Sequence, residues 1–133
     1  VVKDVLNLTT QSLLISHTGF NGHCPSPRNI DDSLMKEIAA SGGLIGIGYW
    51  DAAVCGNTPR DVASAIQFGI KLVGAEHVAL GSDFDGAVLS GFDTSELIAL
   101  THELLEAGIE ESDIRLVMGE NLLHFFERNL PKK

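Results

Sequence analysis

The sequence predicts an α/β fold of three parallel strands with flanking helices, read as the C-terminal portion of a TIM (β/α)8 barrel. Three observations carry this. Apolar runs at Ser12–His17, Leu44–Tyr49 and Val78–Ser82 recur about every 30 residues, the length of a strand plus its crossover helix. The runs are continuously apolar, as strands buried on both faces are. The third run leads into Gly81-Ser82-Asp83-Phe84-Asp85-Gly86. Read as one continuing strand, Ala79, Gly81, Asp83 and Asp85 share a face, and Val78, Leu80, Ser82 and Phe84 share the other. A small face ending in acid beside a bulky face is the pattern of a barrel strand that delivers a carboxylate at its C-terminal end.

The elements follow in order. In the second strand Leu44, Gly46 and Gly48 line one side, and Ile45, Ile47 and Tyr49 the other. Between the first two strands, Asp31 and Asp32 cap a helix carrying Leu34, Met35 and Ile38, stopped by Gly42-Gly43. Thr58-Pro59 opens the next helix, with Asp61 at capping-box spacing. Val62, Ile66 and Ile70 form its apolar stripe, and Gly74 ends it. Asp93-Thr94 opens a helix with Leu97, Leu100, Leu104 and Leu105, ended by Gly108. Glu111–Met118 and Glu120–Asn129 read as two closing helices.

The 133 residues read as a single unit. A hydrophobic content of 44% supplies a core and argues against global disorder. A net charge of −9 argues against nucleic-acid partners and anionic membrane surfaces. The start in mid-pattern at Val1-Val2-Lys3 leads us to expect a piece of a larger closed barrel. Three parallel strands alone leave two open edges.

Residues able to do chemistry cluster at the predicted strand ends. His17 projects from a face otherwise made by Leu13 and Ile15. It reads either as a hydrogen-bonded core histidine or as a metal ligand. His23 reads as a solvated loop residue, His77 as structural, and His102 and His124 as helix-surface or packing residues. Arg28 lies in the stiff Pro25-Ser26-Pro27-Arg28-Asn29 loop and is one of four arginines. It reads as a clamp for a carboxylate or phosphate, or as a solvated or capping partner of Asp31 or Asp32. Asp83 and Asp85 read as an acid pair with one raised pKa, or as turn residues. Cys24 and Cys55 fall in loops at one sheet end, and read as a disulfide or as two free buried thiols.

Several motifs in order carry a family resemblance. They are Ser16-His17-Thr18, Cys24, Pro27-Arg28-Asn29-Ile30-Asp31-Asp32, Gly42-Gly43-Leu44-Ile45, His77 through Gly86, and Gly119-Glu120-Asn121-Leu122-Leu123. Together they resemble the membrane dipeptidases (renal dipeptidase-like, peptidase family M19). The resemblance implies a TIM-barrel hydrolase of the amidohydrolase type with two zinc ions, cleaving dipeptides. It implies His17 as a ligand of the second zinc, Arg28 as the substrate-carboxylate binder, and Asp83 as the catalytic acid/base. It implies that Cys24 and Cys55 are bonded, which favours an extracytoplasmic, oxidising compartment. It assigns Asp85 no role, and its parent enzymes can form homodimers.

The family's first-metal His-x-Asp motif, its bridging carboxylate and an earlier second-metal histidine have no counterpart in these residues. A catalytic zinc needs about three protein ligands. The isolated chain is therefore expected to lack tight zinc binding and dipeptidase activity. It is expected to cover its edges with the N-terminal part of the barrel or by self-association. Two other readings are a haloacid dehalogenase-like phosphatase using Asp83 and Asp85, and a non-catalytic α/β module. The phosphatase reading needs a downstream lysine, and after Gly86 only Lys132 and Lys133 occur.

Overall fold

In the computed structural model, which describes residues 1–131, the strands form where the apolar runs predict them, but shorter. They are β1 (Leu14–Thr18), β2 (Leu44–Ile47) and β3 (Val78–Leu80). All pairing is parallel, in the order β1-β2-β3. Leu14 pairs with Leu44 and Ile15 with Ile45, and the register then slips so that Thr18 meets Ile47. The irregularity falls on Ser16 and His17. A bulge of this kind re-aims side chains, so the strict alternation of Leu13, Ile15 and His17 does not hold. β2 and β3 pair without a slip, Ile45 with Val78 through Ile47 with Leu80.

The helices are α1 (Val2–Leu8), α2 (Asp32–Ala40), α3 (Asp51–Val54), α4 (Pro59–Val73), α5 (Leu97–Glu106), α6 (Glu111–Arg115) and α7 (Asn121–Asn129). Asp31 caps α2 by accepting from Ser33 N. Thr58 and Asp61 form a full capping box on α4, with proline in its first turn. Asp93 and Glu96 form a second box on the short 3₁₀ turn that leads into α5. These caps satisfy amides with no partner inside the helix. Ile45 and Ile47 of β2, with Tyr49 just beyond it, face one core with Met35, Ile38, Val62, Ile66, Leu100 and Leu104. Leu44 and Ala79 turn to a second, smaller cluster with Phe125.

Three elements differ from the expectations. The sequence reading has no counterpart for α1, which has no buried residue and is held to α2 by Lys3 and Glu37 at 3.2 Å. α3 has four residues, too few to show helical periodicity. The first closing helix ends at Arg115. A wider, π-type turn over Leu116–Glu120, kinked at Gly119, then leads into α7.

The two sheet edges differ. β1 is open, with Leu14 38% exposed. Beside β3, Asn121 is 3% exposed and its amide donates to Ala75 O (2.7 Å) and Val78 O (2.8 Å). The inner face is tight. A Cβ on Gly81 would lie 2.3 Å from Ser16 O, so only glycine fits there.

Candidate functional site

The site is built at the C-terminal strand ends, starting from β2. Past Ile47 the chain turns so that the Trp50 ring folds back over Gly48. A Cβ on Gly48 would sit 2.0 Å from the indole. Trp50 is 6% exposed. The sequence reading missed it. The glycine two residues before an aromatic at a strand end is the signal that pointed to it.

His17 and Arg28 both meet this ring. The His17 imidazole stands edge-on to it at 5.9 Å between centroids. Its Nδ1 lies 2.9 Å from Ser16 Oγ, which leaves Nε2 free toward solvent. The Arg28 guanidinium carbon lies over the indole, 5.6 Å from the centroid. Arg28 is exposed, and among the described residues its guanidinium makes no ion pair or hydrogen bond. The capping alternative is not what forms. Asp31 is occupied by Ser33, and Asp32 accepts from Gly22 N at 2.9 Å.

The Arg28 loop is pinned on both sides. Cys24 and Cys55 are bonded, with S–S 2.08 Å and Cα atoms 5.5 Å apart. The Asn29 amide donates to Cys24 O (2.8 Å) and Ala53 O (2.9 Å), tying the loop to α3 directly after Trp50. Its Oδ1 is buried without a partner. Cys55 takes a left-handed conformation at φ 58° to end α3.

Asp83 reaches this end differently from the alternation expected. β3 stops at Leu80, and Asp83 sits at φ 60° at the start of a turn closed by Gly86 N on Asp83 O, 2.9 Å. A left-handed residue ends the strand alternation, so the shared face of Asp83 and Asp85 does not extend here. Asp83 is half-buried and Asp85 exposed. The turn is anchored by Phe84, whose ring meets Tyr49 at 5.4 Å and Phe92 at 6.1 Å. Tyr49 stacks on Phe92 at 5.1 Å, and burial raises its phenol pKa.

The other histidines sort by environment. His23 is not merely solvated: it packs on Phe68 at 5.6 Å. Burial lowers its pKa, against a hydrogen bond to the Val54 backbone and the charge of Asp61. His77 lies at the opposite end of the sheet, with Nδ1 2.9 Å from Gly43 O. Among the described residues, no three His, Cys, Asp or Glu side chains converge on a point that could hold a metal ion.

Among curated proteins, the chain is 35% identical over 129 residues to the dipeptidase aclJ of Aspergillus oryzae, covering 91% of this chain and 31% of that protein. It is 30% identical over 129 residues to an uncharacterised protein of the pqqA 5′ region of Klebsiella pneumoniae, covering 90% and 48%. A solved metallopeptidase from Rhodobacter sphaeroides, liganded with a phosphinate mimic of the dipeptide L-Ala-D-Ala, matches with TM-score 0.88 at 27% identity. That match covers 96% of this chain and 39% of the other. The dipeptidase AC, an M19 metallopeptidase, matches with TM-score 0.87 at 27% identity, again over 96% and 39%. The chain thus spans less than half the length of these relatives. Its three parallel strands form part of a TIM barrel, as expected. The haloacid dehalogenase reading of Asp83 and Asp85 gives way to these matches, and the lysines it needed lie outside the described residues. With the membrane dipeptidase model (peptidase family M19) matching residues 1–130, the chain belongs to that family.

Proposed function

We propose that this chain supplies the substrate-recognition and proton-transfer part of a zinc-dependent dipeptidase. The observation that carries this reading is the Arg28 guanidinium, without an ion-pair or hydrogen-bond partner among the described residues, held with His17 on one indole at the C-terminal strand ends. Arg28 receives the free carboxylate of a dipeptide through two parallel N–H donors. A cation at a set distance from the scissile bond favours dipeptides over longer chains, whose carboxylate lies further away. Asp83 holds a proton and passes it to the amide nitrogen as that nitrogen leaves.

His17 would offer Nε2 to a metal, since its Nδ1 is engaged by Ser16. The residues of this chain do not by themselves fit a metal site, because His17 has no converging partners among the described residues. No step is therefore assigned to a metal held by this chain alone. The incomplete ligand set also favours a second reading, a non-catalytic α/β module, for the chain in isolation.

The experiment is zinc titration by calorimetry with a dipeptide hydrolysis assay, on the purified chain and on the chain co-expressed with the N-terminal barrel segment of a relative. The expected result is neither tight binding nor turnover for the chain alone, and both for the reassembled barrel. Submicromolar stoichiometric zinc binding with turnover by the chain alone would overturn the residue assignment. A reassembled barrel that binds zinc and cleaves no dipeptide would favour the non-catalytic module.

A further inference from the structure

We propose that Trp50 is a positioning residue that presents Arg28 to a free carboxylate, and so sets selectivity for ligands with an unblocked C-terminus. The proposal rests on the dipeptidase reading only for the identity of the ligand.

Three observations converge. First, the platform is rigid. The indole is 6% exposed and wedged over Gly48, where a Cβ would lie 2.0 Å away. Second, the arm is short and anchored. Arg28 follows Pro27, precedes the clamped Asn29, and sits four residues from the Cys24–Cys55 bridge. Third, the cation is kept available. Both acids in reach by sequence, Asp31 and Asp32, are occupied by Ser33 and by Gly22 N. The guanidinium therefore rests on a ring face.

That choice of partner matters chemically. A carboxylate neighbour would occupy the in-plane N–H donors that a ligand needs. A ring face attracts the cation through its quadrupole and leaves those donors free. It also restricts a long side chain that otherwise has rotamer freedom to lose on binding. The edge-on His17 ring at 5.9 Å closes the same indole from another side. Trp50 is thus the ring shared by the carboxylate anchor and the imidazole.

Trp50 is the only tryptophan in the sequence, so its emission reports on the surroundings of this one ring, Arg28 and His17 together. The test titrates the whole chain with alanyl-alanine and with its C-terminal amide. The expected result is a saturable emission change with the free acid, about tenfold weaker for the amide, and absent in Arg28→Ala. Trp50→Phe and Trp50→Leu then separate the ring face from apolar bulk. Calorimetry should find free-acid affinity nearly kept in Trp50→Phe and weakened about fivefold in Trp50→Leu. In the reassembled barrel the same pattern should appear in KM, with kcat unchanged. Equal emission responses to acid and amide, or equal affinities of the two variants, would overturn the proposal. If Trp50→Leu does not fold, Trp50→Met, unbranched and apolar without a ring face, takes its place in the same comparison with Trp50→Phe. Turnover, measured separately, reports on the dipeptidase reading. Carboxylate-selective emission without hydrolysis leaves Trp50 in its role and removes the catalytic assignment.

Discussion

At the N-terminal ends of the strands His77 lies against backbone, with Nδ1 2.9 Å from Gly43 O, and Asn121 closes on Ala75 O and Val78 O. At the C-terminal ends His17 is exposed, Arg28 has no ion-pair or hydrogen-bond partner among the described residues, and Asp83 takes a left-handed conformation. The same kinds of side chain satisfy the backbone at one end and stay available at the other. Side chains whose polar groups are already paired stabilise. Side chains held in place by aromatic contacts, with donors and acceptors left open, can take a ligand. In a parallel sheet all strands share one direction, so this difference separates the molecule into an end whose polar groups pair with backbone and an end where they stay open.

Substitutions at the two ends should therefore fail differently. The largest effect is expected from Asp83→Asn in the reassembled barrel. Asparagine tolerates the left-handed backbone, so the fold should hold. Loss of the proton carrier should lower kcat by about 10²- to 10⁴-fold with little change in KM. Arg28→Ala should do the reverse, raising KM for dipeptides by about 10- to 100-fold with kcat nearly kept. Steady-state kinetics on the pair checks both, and equal small effects would erase the distinction between the ends.

Next comes the pinned loop. The disulfide joins residues 31 apart in sequence, and cross-links of this span stabilise by about 4 kcal/mol in the chain-entropy account. The double substitution Cys24→Ser with Cys55→Ser should lose about that much in urea melts, and KM should rise as the Arg28 loop loosens. At the other end, Asn121→Ala leaves two buried carbonyls without their donor. It should cost about 2 kcal/mol of stability with no change in kcat per folded molecule. A kcat loss there would show that the ends are coupled.

The smallest effect concerns pH. Burial on Phe68 lowers the His23 pKa, with the Val54 backbone and Asp61 opposing. The unfolded chain then binds more protons than the folded one in the range between the lowered value and the ordinary value of about 6.5. Stability from neutral His23 is thus complete above that range and is lost as pH falls through the lowered value. The capping carboxylates Asp31 and Asp93 are held below their ordinary range by Ser33 and Ser95, so they titrate in more acidic solution. His23→Gln should flatten the melting temperature between about pH 7 and pH 5. An unchanged slope would show that this burial does not govern the pH response.

What the sequence determined by itself is the local and periodic part. The apolar runs placed three parallel strands because burial on both faces demands continuous hydrophobicity. Asp31 and the Thr58/Asp61 and Asp93/Glu96 boxes were legible because a cap acts within four residues. His17 stood out as a reactive side chain at a strand end, and Arg28 and Asp83 as reactive side chains past one. Tertiary structure alone decided what surrounds them. The slip at Ser16 and His17 depends on pairing with β2, not on β1 itself. The end of β3 at Leu80 depends on the Asp83 turn and on Phe84 finding Tyr49 and Phe92. Trp50 had no place in the sequence reading. It became the surface shared by His17 and Arg28 only once Gly48 left room for its ring and a bridge across 31 residues closed the loop over it. Contacts between residues distant in sequence leave no periodic trace in the chain, because each partner's residue type is chosen by a space that other elements define.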